Sequence, residues 1–145
     1  MKTKVTILGR AAPQVDSSER APLYLSSVAA GFPSPAEDFV EGHLNLHEHL
    51  VRNNAATFFL HASGSSMIGA GILDGDLLVV DRSAKAADGR VVIAALNGEL
   101  LVKRLVRREG RVFLASENPD FPDFDITESE HVHIWGVVTY AIHKL

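Results

Sequence analysis

From residue 57 onward the apolar positions come in short blocks with strand spacing. "TFFLHAS" (57–63) is β-rich, "DLLVVD" (76–81) is a short apolar run, and "RVFLAS" (111–116) follows the turn pair Glu109-Gly110. "VVIAALNGELLVKRLV" (91–106) holds two such blocks separated by Asn97-Gly98, the preferred pair for a two-residue type I′ hairpin turn. "HIWGVVTYAI" (133–142) reads as a long final strand. Between 37 and 50, Phe39, Val40, Leu44, Leu46 and Leu50 fall at an imperfect helical spacing that Gly42 weakens, and a short helix is expected. Residues 1 to about 36, with "GRAAPQVDSSERAP" and "SSVAAGFPSPAEDF", show no sustained period and read as a flexible arm without a core element. Six or so short strands with little helix predict a mostly β chain, a compact folded sheet or barrel-like core.

A length of 145 residues suits a single core. Composition narrows the function classes. The net charge of -4 leaves no basic footprint for direct, sequence-specific DNA binding. The absence of cysteine removes disulfides and thiolate metal sites and fits a reducing compartment. The apolar run after the N-terminal lysines, Val5 to Leu8, is shorter than a signal-peptide core of roughly 7 to 15 residues. No later run approaches the roughly 18 apolar residues of a membrane span. A cytoplasmic protein with no membrane partner is the expectation.

The chemistry concentrates in "HASGSSMIGAGILDGD" (61–76), where Ser63, Ser65 and Ser66 sit among glycines. A serine hydroxyl attacks only when a base removes its proton. His61 is five residues before Ser66, and spacing alone leaves a Ser-His pair open. Lys103 offers another route. Alternation along the second hairpin strand puts it on one face with Leu101 and Leu105, where burial would favour the neutral amine that a base requires. Periodicity equally allows a lysine at the surface of a half-exposed strand, the commoner place for one.

"SGSSM", then "DGDLLVVD", then "GRVVIAALNGELLVKRL" and the terminal "WGVV" together resemble the LexA-like Ser-Lys peptidase family, and within it the UmuD-like accessory subunits of translesion polymerase V. The resemblance runs from about Leu23 to the C-terminus and takes in "GFPSPAEDFVE". Carried over by motif, Ser66 matches the nucleophile and Lys103 the general base, with the backbone amides of Ser65 and Ser66 as oxyanion donors. Position 65 departs from the pattern by being a serine, so Ser65 stands as a formal rival to Ser66. The matching cleavage site is the Ala30-Gly31 bond in "SVAAGFPSP", with Ala29-Ala30 the nearby competitor. Pro33 and Pro35 keep that segment extended. Cleavage there would divide the chain into an arm, 1–30, and a peptidase core, 31–145. The resemblance further implies a homodimer, stimulation of cleavage by a RecA filament on single-stranded DNA, a UmuC-like polymerase subunit as partner for the shortened form, and no cofactor. A LexA-like repressor would need a helix-turn-helix that the first 30 residues do not hold. A non-catalytic interaction module whose arm docks on a partner is the other alternative.

Three further clusters carry less. His43, His47 and His49 in "HLNLHEHL" lack the HExxH arrangement and imply no third ligand, so no metal is expected. The basic run "KRLVRREGR" (103–111) reads as the decoration of a hairpin end. Phe121 and Phe124 in "ENPDFPDF" are expected to pack over the core.

Overall fold

The computed structural model describes residues 3–11, 21–24 and 40–145. They fall into two compact units, one of 3–11 with 53–145 and one of 21–24 with 40–52. The smaller unit pairs β2 (Ala21–Tyr24) antiparallel with β3 (Val40–Leu44), followed by the single helical turn α1 (Leu46–Leu50). The helix expected over 37–50 is therefore confined to its last five residues. Gly42 is a weak helix former, and its segment pairs with β2 instead. Asn45 stays extended and accepts the Glu48 amide as an N-cap, so the helix begins only after it.

The larger unit is an eight-stranded antiparallel sheet in the order β1-β4-β5-β10-β6-β7-β8-β9. Its strands are β1 (Lys4–Arg10), β4 (Thr57–Ser63), β5 (Leu77–Asp81), β6 (Val91–Leu96), β7 (Glu99–Arg108), β8 (Arg111–Ala115), β9 (Phe124–Asp125) and β10 (Val132–Ile142). β1 also pairs with β7, Lys4 opposite Leu101, so six strands close on themselves as a barrel and β8-β9 extend from it. The mostly β expectation is met. The reading of residues 1–36 as lacking a core element is corrected for 4–10, which form β1. Apart from Val5 and Gly9 the side chains of this strand are exposed, so it carries little of the alternation that marks a half-buried strand.

The hairpins form where the turn residues dictate. Asn97 and Gly98 have φ of 50° and 79°, the double positive φ of a type I′ turn, and β6 pairs β7 from Leu96↔Glu99 to Val91↔Arg104. Alternation then divides the core. Ile93 and Val102 join Leu60, Ala62, Met67, Ile72, Leu78 and Val80 in one cluster. Val92 and Ala94 join Leu105, Leu114 and Val137 in another, against which Phe124 packs as expected. Among the described residues no helix is long and apolar enough to cross a membrane.

Candidate active site

β4 ends at Ser63, and the chain turns through Gly64 into the serine loop, closing with a 3-10 turn (Ile68–Ala70). Met67 anchors this loop. Its side chain is fully buried in the first core cluster, which contributes on the order of 2 kcal/mol and fixes its neighbour Ser66. Ser66 is 0% exposed, whereas Ser63 and Ser65 are exposed. Three hydrogen bonds tie the loop to the segment after β8: Glu117 N–H to the Ser66 carbonyl (2.9 Å), Gly69 N–H to the Glu117 carbonyl (2.8 Å), and Asn118 Nδ2 to the Ser65 carbonyl (3.0 Å).

Lys103 lies in β7 with 1% of its surface exposed, so the surface placement that periodicity allowed does not hold. Leu101 and Leu105 beside it are also buried, Val92 is its cross-strand partner, and the Phe124 ring centroid is 5.5 Å from Nζ. Nζ donates a hydrogen bond to Ser116 Oγ. Ser116 precedes Glu117, whose amide holds the Ser66 carbonyl, so one short segment binds both the serine loop and the lysine. Next to them Arg104 pairs with Glu117 and donates to the Gly89 carbonyl at 2.6 Å.

Thr3 completes the site. It is 0% exposed, and its Oγ1 accepts from both the Ser66 backbone N–H (3.0 Å) and the Ser66 hydroxyl (2.6 Å). The Thr3 N–H donates to Ser66 Oγ at 2.8 Å. One oxygen beside the serine hydroxyl is thus also within reach of a backbone donor, the arrangement that stabilises an oxyanion in acyl transfer. The buried Lys103 amine, joined to the serine loop through the Ser116-Glu117 segment, is a candidate base.

His61 is exposed on β4 and takes no part in this cluster. The proposed cleavage residues Ala30 and Gly31 lie outside the described residues. Thr3 and Ser116 are absent from the residues that the motifs single out. Ser116 had a signal, because a two-residue turn at Glu109-Gly110 sets Arg104 opposite Ala115 and so Lys103 opposite Ser116. Thr3 had none, since its partners are 63 residues away.

Among the described residues no group of three metal-ligating side chains converges. The basic run is engaged locally: Arg108 pairs with Asp123 and Arg111 with Asp125. Asp125, which also accepts from the Thr127 hydroxyl and amide, is held well below the usual carboxylate value, at about 2, first by those Thr127 bonds and then by Arg111.

The Peptidase S24-like family model matches residues 22–139. The chain is 50% identical over 122 residues to Protein MucA of Salmonella typhimurium, covering 83% of each chain. It is 47% identical over 132 residues to Protein ImpA of Shigella flexneri, covering 91% of this chain and 90% of the relative. A LexA repressor of Idiomarina loihiensis is 41% identical over 117 residues, which span 81% of this chain and 56% of the repressor.

Proposed function

The chain belongs to the S24-like peptidase family, as a UmuD-like self-cleaving serine peptidase of SOS mutagenesis, and on that premise we propose that it cuts its own Ala30-Gly31 bond with Ser66 as nucleophile and Lys103 as general base. The observation that supports this reading is the convergence of the Ser66 amide and hydroxyl on one oxygen, with the buried Lys103 amine bonded to Ser116 and the next residue, Glu117, bonded to the Ser66 carbonyl.

The steps follow from that placement. Lys103, as the neutral amine that burial favours, takes the Ser66 proton while Oγ bonds to the Ala30 carbonyl carbon. The amides of Ser65 and Ser66 receive the resulting oxyanion, each such donor lowering the barrier by about 3 kcal/mol. The carbon–nitrogen bond to Gly31 breaks as the Lys103 ammonium returns the proton to the departing amine. Water, deprotonated by the same lysine, hydrolyses the Ala30 ester and frees residues 1–30 from the core 31–145. Gly31 and Ser66 are 35 residues apart, a tether of more than about 100 Å when extended, so one chain has the reach to cut itself.

In this reading the protein is a cytoplasmic homodimer. A RecA filament on single-stranded DNA stimulates cleavage, and the shortened form joins a UmuC-like polymerase. Intact-mass measurement after incubation at increasing pH tests the chemistry. A species beginning at Gly31 should accumulate faster as pH rises and the amine loses its proton, and neither Ser66→Ala nor Lys103→Ala should form it while both stay folded. A flat rate from neutral to alkaline pH would remove Lys103 from the role of base, and cleavage lost in Ser65→Ala but retained in Ser66→Ala would move the nucleophile.

A further inference from the structure

We propose that β1 is a built-in pseudosubstrate, a strand of the chain's own N-terminal segment that fills the peptide cleft between β4 and β7 and occupies Ser66 through Thr3. The inference rests on reading Ser66 as the nucleophile of a peptide-cutting cleft. It adds an occupant for that cleft and a condition for its use.

The position of β1 is that of a bound peptide. β4 leads into the serine loop and β7 carries Lys103, and β1 lies antiparallel to both, with Lys4 opposite Ser63 on one side and Leu101 on the other. The Thr3 carbonyl accepts the Val102 N–H at 3.0 Å. An extended chain added between two strand edges is held by main-chain bonds whatever its side chains, which is how an edge cleft takes peptide substrates.

At the reacting end Thr3 offers a hydroxyl where a substrate would present a carbonyl oxygen. Its Oγ1 fills the point on which the Ser66 amide and hydroxyl converge, so the Ser66 proton is directed to threonine and away from any base. The Thr3 N–H caps the Ser66 lone pair. The Thr3 carbonyl is committed to Val102, so Thr3 itself gives the nucleophile nothing to acylate. A strand bound in this way blocks the site without being consumed.

The strand is also built to leave. Ile7 and Leu8 are 43% and 52% exposed, while Leu60 and Ala62 on β4 are buried. Its attachment therefore rests on backbone pairing, on Thr3, on the adjoining Ala11 and on Val5 alone among its apolar side chains, not on a packed apolar face. Adjacent strands lie about 4.8 Å apart, so the gap between β4 and β7 admits one strand at a time. The segment around Ala30-Gly31, from the same chain or from a second copy, must displace β1 before it can be cut.

The test compares the full chain with Thr3→Val and with a form lacking residues 2–10, each checked for a cooperative thermal transition. Two rates are read: appearance of the species starting at Gly31, and labelling of Ser66 by a fluorophosphonate, in which the Oγ–phosphorus bond forms as fluoride leaves and the serine proton passes to the base. Losing the two bonds to the Thr3 hydroxyl should raise both rates about tenfold in Thr3→Val. The shortened form should gain at least as much, and a synthetic peptide of residues 1–11 should slow its labelling again. Unchanged rates in a folded Thr3→Val chain overturn the proposal, and this variant decides the matter if the shortened form does not fold. Faster labelling with no Gly31 species from any chain would keep the pseudosubstrate and remove the self-cleavage reading. A Gly31 species formed at one common rate in all folded chains would do the reverse.

Discussion

A lysine amine with 1% exposure is held at a cost, because leaving water penalises the ammonium form. Leucines flank it on β7, and Ser116 Oγ accepts from its Nζ. Replacing Lys103 by methionine keeps the volume and removes the amine, so Lys103→Met should lose cleavage completely while its melting temperature stays level or rises. A large fall in melting temperature would mean that the amine serves the fold and not the chemistry. In the proposed mechanism Ser116 acts on the site through Lys103, as a positioning residue. Ser116→Ala should slow cleavage about tenfold, the size expected when one hydrogen bond that orients a reacting group is lost. Ser116→Thr, which keeps a hydroxyl on the same carbon, should restore most of it, and failure of that rescue would point to a merely structural role. Much of this neighbourhood is legible from residues alone, since alternation puts Lys103 with Leu101 and Leu105 and the Glu109-Gly110 turn puts Ser116 across from it. The proposed pairing with Ser66 is not legible in that way. Residue spacing leaves His61 open as a base, and it is the motif resemblance that singles out Lys103.

At the scale of elements, the serine loop is held by how closely it approaches the segment after β8. A Cβ added to Gly69 would lie 2.6 Å from the backbone oxygen of Glu117, a contact no side-chain rotation relieves. Gly69→Ala should therefore spring the loop from Glu117, lower the melting temperature and reduce cleavage by more than the same change at Gly71, where a Cβ meets nothing within 4 Å and the cost is confined to the left-handed φ of 80°. Equal effects from the two substitutions would show that the loss lies in backbone freedom and not in the clash. The β8-β9 extension carries the pH signature. Asp125 falls from 3.8 to about 2 on folding, so its contribution to stability is fully present above pH 3.8 and is lost as pH falls through about 2. Asp125→Asn should flatten the decline of melting temperature across that interval, and an unchanged slope would assign the acid sensitivity elsewhere. The elements that their own residues announce are the hairpins, because Asn97-Gly98 and Glu109-Gly110 fix the turns and the turns fix the register. β3 was hidden because its apolar spacing imitates a helix until pairing with β2 and the extended Asn45 intervene.

At the scale of the molecule, the barrel is closed by its least buried strand. β4, β5, β10, β6 and β7 contribute ten of the thirteen residues of the two core clusters, whereas β1 supplies only Val5 at the margin of one of them. This is why a fold otherwise marked by alternating strands conceals its first one: closure is a matter of main-chain pairing with partners far away in the chain, such as Ser63 and Leu101 for Lys4, and side-chain pattern records burial instead. The same imbalance predicts how the protein opens. Local unfolding costs least where few apolar side chains are buried, so β1 should detach while the other strands stay paired, leaving the edges of β4 and β7 free. Hydrogen exchange on the full chain, with Lys103→Met preventing cleavage, measures this directly. Amides of β1 should exchange at least about a hundredfold faster than those of Leu78 in β5 and Ile93 in β6, with no dependence on global stability when mild denaturant is added. If β1 instead exchanges as slowly as β5 and with the same denaturant dependence, it opens only when the whole barrel does, and cleavage would then have to wait for global unfolding.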